Sequence, residues 1–126
     1  MIAAVLRWFL ANETALPEPL PRGVRVYRSS WIPALAGWLS GMRGPAAVVT
    51  LGDAIVVYTP VPITPRLLRH ELEHVRQWEE APLLFPARYA LGHLRYGYND
   101  NPYEVAARVA EQLQPRAGRL PDGEAD

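Results

Sequence analysis

Thr64 and Pro65 open the segment that most restricts what this chain can become. A Thr at the N-cap followed by Pro in the first helical position starts a helix, and neither Pro nor Gly occurs again before Ala81. The spacing predicts a helix over 65–80. Leu68, Leu72 and Val75 fall on one apolar face suited to a core. Arg66, Arg69, Glu73, Arg76 and Glu80 fall on a polar face laced with opposite charges, and Glu73 reads as part of that solvated face. His70, Glu71, His74, Gln77 and Trp78 lie between the two. A half-buried face that carries two His and a Glu needs a polar partner.

The rest of the chain arranges itself around that helix. At 126 residues it is long enough for one domain with a real core, and without cysteine that core must form without disulfides. Ile2, Val5, Leu6, Phe9 and Leu10 recur at helical spacing and predict a short N-terminal helix packed on the domain. The same stretch lacks the basic start of a signal peptide and is too short to span a bilayer. Leu16–Gly23 is a linker punctuated by proline. Gly23–Ser30 alternates as a strand, with Val24, Val26 and Arg28 opposed to Arg25 and Tyr27. Trp31–Met42 suits a short helix or a loop. Ala46–Thr50 and Ala54–Tyr58 flank Leu51-Gly52-Asp53 and predict a β-hairpin with Gly at the bend.

After the 65–80 helix, a second helix is expected over 83–96 with Pro86 in its first turn. Asn101-Pro102 repeats the cap-plus-proline signal and starts a third, running to about Leu113. The expected fold is α+β: an N-terminal helix, a small antiparallel sheet with a hairpin, then three helices. Residues 1–114 form the domain, and 115–126 read as a polar, flexible tail.

The chemistry sits in His70-Glu71-Leu72-Glu73-His74. Residues four apart in a helix lie on one face, so His70 and His74 can offer both imidazoles to one metal ion. Glu71 lies within a turn of each and can serve as a base toward water beside that ion. With no cysteine, a metal must be held through His, Asp or Glu. A catalytic zinc site takes a third protein ligand. Glu104, in Asn101-Pro102-Tyr103-Glu104, is the first candidate and His93 the second. Spacing alone leaves Glu104 open between two roles, because Asn-x-x-Glu is also a capping-box pattern. Gln77, two turns from His70, suits a hydrogen bond behind a ligand. Tyr96, Tyr98, Tyr103 and Arg108 are candidate donors to a developing oxyanion.

Three stretches of the region 69–111 carry a resemblance: His70 to Gln77, the aromatic helix around Tyr89-Ala90-Leu91, and Tyr98 to Arg108. Together they resemble small zinc-peptidase-like domains of the gluzincin type. The hairpin strand ending Thr50-Leu51-Gly52 resembles the strand that precedes the active-site helix in such domains. The resemblance implies zinc on His70, His74 and Glu104, with Glu71 as general base.

The expected function is zinc-dependent hydrolysis, by a metallopeptidase acting on a peptide or protein substrate. The alternative is a metal-binding, peptidase-like interaction module without turnover. Thirteen basic residues balance thirteen acidic ones, so no electrostatic footprint points to nucleic acid. Membrane association is not expected, a cytoplasmic location is, and the oligomeric state is unread.

Overall fold

A computed structural model describes residues 2–113. The expected tail at 115–126 lies outside the described residues. The elements are α1 (Ile2–Leu6), β1 (Ala11–Asn12), β2 (Arg25–Ser29), α2 (Trp31–Leu39), β3 (Val48–Leu51), β4 (Ala54–Tyr58), α3 (Pro65–Glu80), α4 (Phe85–Asp100) and α5 (Pro102–Ala110). The fold is α+β, with the expected succession of N-terminal helix, strands and three later helices.

The sheet is mixed, which corrects the expectation of an antiparallel one. Its strand order is β1-β2-β4-β3. β1 and β3 pair antiparallel with their neighbours, but β2 and β4 run parallel, with Arg25 opposite Ala54 and Ser29 opposite Tyr58. The reason is topological. Trp31–Leu39 is a helix, so the link from β2 to the hairpin is a crossover that can bring a strand back in the same direction. The Oγ of Ser29 accepts the amides of Trp31 and Ile32 (3.2 Å each) and helps to start that helix. At Gly37 the helix meets the following loop so closely that a Cβ would overlap the Gly44 carbonyl oxygen.

The hairpin turns on Gly52 and Asp53, with Leu51 opposite Ala54. Gly52 has φ +64°, a left-handed value at the first central residue of a two-residue turn, which favours Gly.

The two sheet faces bury different sets. Val24, Val26, Ile55 and Val57 pack on Leu68, Leu72 and Val75 of α3, with Leu16 and Leu20 of the proline-rich linker at the margin. Burying each such side chain contributes about 1.5–3 kcal/mol, so this layer sets where α3 lies. On the other face Tyr27 and Ala54 hold α1 through Ala3. The Tyr27 hydroxyl donates to the Ala3 carbonyl (2.5 Å), and Asp53 accepts the Ala3 amide (2.8 Å). α1 is shorter than its apolar spacing suggests. Ile2, Leu6 and Leu10 pack, while Val5 and Phe9 are exposed.

α3 spans the expected residues, and the Thr64 Oγ1 accepts the Leu67 amide at 3.1 Å. α4 begins at Phe85, two residues later than expected, with Pro86 in its first turn as expected, and is broken at Gly97, where φ is 78° and ψ 174°. An aromatic cluster of Trp78, Phe85, Tyr89 and Tyr103 ties α3, α4 and α5 together through ring contacts of 5.1–6.4 Å.

Candidate metal centre

The core packing of Leu68, Leu72 and Val75 turns the adjacent face of α3 toward α5. Asn101 sets the position of α5. It is fully buried, its Oδ1 accepts the Tyr103 amide (3.0 Å), and its Nδ2 donates to the Tyr89 carbonyl (3.1 Å). Gly92 of α4 leaves room for this side chain, since a Cβ there would meet Asn101 Oδ1 at 2.9 Å. The cap therefore joins α4 to the first turn of α5, the turn that carries Glu104.

Glu104 faces both histidines. His70 Nε2 lies 3.0 Å from Glu104 Oε1 and His74 Nε2 lies 3.3 Å from Glu104 Oε2. Tyr89 donates its hydroxyl to Glu104 Oε2. The two readings left open by spacing now separate. Asn101 caps α5 through the Tyr103 amide, while its own amide donates to the Tyr98 carbonyl. The Glu104 carboxylate is turned to the histidines and Tyr89 instead of back to Asn101.

The far nitrogen of each ring has its own partner. The Tyr103 carbonyl can only accept, so the Gln77 Nε2 that lies 3.1 Å from it is a donor. Gln77 Oε1 is then the atom 2.9 Å from His74 Nδ1, and His74 carries a proton on Nδ1. His70 Nδ1 lies 2.7 Å from Glu111 Oε2 and carries a proton for the same reason. Each neutral ring would thus direct an Nε2 lone pair at a carboxylate. Acceptors facing acceptors need a positive charge between them, either ring protons or a metal ion.

Side-chain electrostatics follow from that arrangement. Burial opposes charge on His70, but Glu104, Glu71 and Glu111 outweigh it and raise its pKa from 6.5 to about 9. His74 is raised in the same way, burial being outweighed chiefly by Glu104 and Glu71. Burial would raise Glu104, yet bonds from His70 and His74 hold it well below the usual carboxylate range. His70, His74 and Glu104 place their donor atoms within 4.8 Å of one another and form a group that can hold a metal ion. Two imidazole nitrogens and a carboxylate suit a divalent cation, with outer partners on both rings.

No protein-family model, curated protein or solved structure matches this chain.

Glu71 is buried beside the donors, and Thr50 of β3 donates to its Oε1 at 2.8 Å. Burial raises its pKa against the pull of His74, His70 and Thr50. A cleft of about 1050 Å³ opens over the centre, bordered by α2, β3, α3 and α4. His93, the second candidate ligand, lines this cleft but is outside the donor group. Of the four candidate oxyanion donors, Tyr98 lines the cleft. Burial and the nearby Glu104 and Glu71 push its phenol up to about 12. Tyr103 is taken up in the aromatic cluster, Arg108 donates to the Asn99 carbonyl, and Tyr96 is half exposed beside Arg95.

Two side chains of the expected solvated face are not solvated. Glu73 is 7 % exposed and bonds Arg76 (3.0 Å from Nε to Oε1), outside the donor group. Arg69 is half-buried, on Glu18 (2.6 Å) and the Glu111 carbonyl (3.3 Å). Segments distant in sequence, the linker and the residue that follows α5, cover Arg69.

Sequence reasoning missed Thr50, Tyr89 and Glu111. For Glu111 a signal existed: it stands two helical turns beyond Glu104 and so shares its face. Thr50 and Tyr89 stand in stretches that carry the resemblance, but nothing local assigned either a role, because their roles depend on which elements pack together.

Proposed function

We propose that this protein is a zinc-dependent hydrolase of peptide bonds, a minimal metallopeptidase of the gluzincin type. The observation that carries the reading is Glu71. It is a buried carboxylate one residue from His70, oriented by Thr50 and opening on the cleft rather than joining the donor group. A purely structural zinc site needs four protein ligands and no adjacent base. Zinc held by two imidazoles and a carboxylate acidifies water and polarises a carbonyl.

The chain's own residues supply the rest. Glu71 takes a proton from the attacking water and passes it to the departing amine. Thr50 keeps the Glu71 carboxylate turned to the cleft. Tyr98 keeps its phenolic proton at neutral pH, and we assign it as donor to the carbonyl oxygen that gains charge. Glu111 and Gln77 hold the two rings so that each Nε2 stays directed inward. A substrate strand lies along β3, the edge of the sheet.

The proposal includes a cytoplasmic setting and no nucleic-acid partner. Among the described residues, no helix is long and apolar enough to cross a membrane. The competing reading, a metal-bearing interaction module without turnover, leaves the buried Glu71 without a task. Glu71→Gln decides between them. The amide is nearly isosteric and cannot take the proton, so the variant should keep its zinc and its melting temperature while peptide hydrolysis falls to background. Undiminished turnover in that variant would remove Glu71 as the base, and no turnover in the zinc-loaded parent would leave the module.

A further inference from the structure

The cleft is far larger than three donors and a water require, and its walls away from the centre are apolar. Ala36, Leu39 and Met42 border it from α2 and the residues that follow; Ala90 and Leu94 border it from α4. Leu39, Met42 and Leu94 are 70 %, 51 % and 81 % exposed. Large apolar side chains on both lips of a cleft mark a surface that is covered in use. The charged carboxylates and the arginine that line it are already engaged. Glu71 and Glu104 belong to the centre, and Arg66 is bonded to Glu111 at 2.9 Å. Among the described residues outside the centre, His93 is the one further acidic or basic side chain that lines it, so a charged group brought between the apolar walls carries a desolvation cost with little to offset it.

The floor of the cleft offers main-chain bonds. The Ala47 carbonyl accepts the Tyr58 amide (2.9 Å), and Val49 and Leu51 stand opposite Val56 and Ala54. Antiparallel alternation then turns the main-chain groups of Val48 and Thr50 outward, away from β4. The Thr50 carbonyl is already taken by Trp78 Nε1 at 3.1 Å. Among the described residues, nothing takes the amide of Thr50 or either group of Val48, and these can meet a strand laid beside them.

We infer that the substrate is an extended polypeptide segment with bulky apolar side chains, which rest against Leu39 and Met42 on one lip and Leu94 on the other. This rests on the hydrolase reading for the bond that is cut, and on the cleft alone for what binds.

The test is binding to the full chain as the zinc-loaded Glu71→Gln protein, measured by fluorescence anisotropy. The probes are a labelled octapeptide rich in Leu and Phe, the same peptide with Asp in their place, and a labelled dodecyl amide without a peptide backbone. The Leu/Phe peptide should bind at least about tenfold more tightly than either of the others. Leu39→Asp and Leu94→Asp, both at exposed positions, should each weaken it about tenfold with zinc content and melting temperature unchanged. Equal binding of the Asp peptide, equal binding of the dodecyl amide, or unchanged affinity in both variants overturns the inference. If the Leu/Phe peptide binds selectively but the parent protein never cleaves it, the hydrolase reading falls and the inference stands.

Discussion

Glu104 is where the residue scale is sharpest, because one carboxylate meets both imidazoles and a tyrosine hydroxyl. Glu104→Gln should weaken zinc binding by at least about tenfold in calorimetry, since a neutral amide is a poor ligand for a dication. Glu111 acts one bond further out. Glu111→Ala removes the acceptor on His70 Nδ1 and should cost about 10- to 100-fold in zinc affinity. The ion pair it also loses, with a largely exposed Arg66, contributes little to stability. Unchanged zinc affinity in Glu111→Ala would reduce it to a surface contact.

The pH dependence belongs to the same atoms. In metal-free protein the His70 pKa lies at about 9, above its ordinary 6.5. Its folded value is raised, so the stabilisation it gives is complete below pH 6.5 and is lost as pH climbs through about 9. Chelated protein should therefore melt at progressively lower temperature across that window. Zinc affinity should climb over the same window, because the metal displaces protons from the rings. A zinc affinity flat above pH 7 would contradict the proton-bearing metal-free state.

At the scale of elements, the centre depends on α5 being docked in one register. Gly92 and Asn101 do this across the α4–α5 joint. Gly92→Ala pushes a methyl into the cap and should lower stability and zinc affinity together. Thr64→Ala removes the cap of α3, which sits away from the donors, and should cost about 0.5–2 kcal/mol with zinc affinity kept. Thermal melts and zinc titrations of the two variants check this contrast; equal zinc affinity in both would show that the joint does not set Glu104. The extent of α3 was legible beforehand because its cap, its proline and its apolar period agree. The end of α4 was harder to read. A left-handed Gly97 breaks it, and helical residues resume beyond the break.

For the whole molecule, a metal on His70, His74 and Glu104 would cross-link α3 to α5, which meet only on folding. Zinc at 100 times its Kd should stabilise the fold by about 2.7 kcal/mol, roughly 10 °C in melting temperature for a domain of this size. In His70→Ala the shift should vanish, and a shift that survived would place the metal elsewhere.

What the amino-acid order determined by itself was local. Period and caps are written in neighbouring residues, so the three later helices, the hairpin at Gly52 and the shared face of His70, Glu71 and His74 could be read directly. Tertiary structure decided everything that joins distant segments. The parallel pairing of β2 with β4 arose because Trp31–Leu39 chose helix over loop. The half-burial of Arg69 arose because Glu18 of the linker and the Glu111 carbonyl close over it. Glu104 was ambiguous in sequence because a capping box and a ligand ask for the same residue at the same place. It turned to the histidines because α5 docks against α3, a contact between side chains thirty or more positions apart that no local pattern encodes.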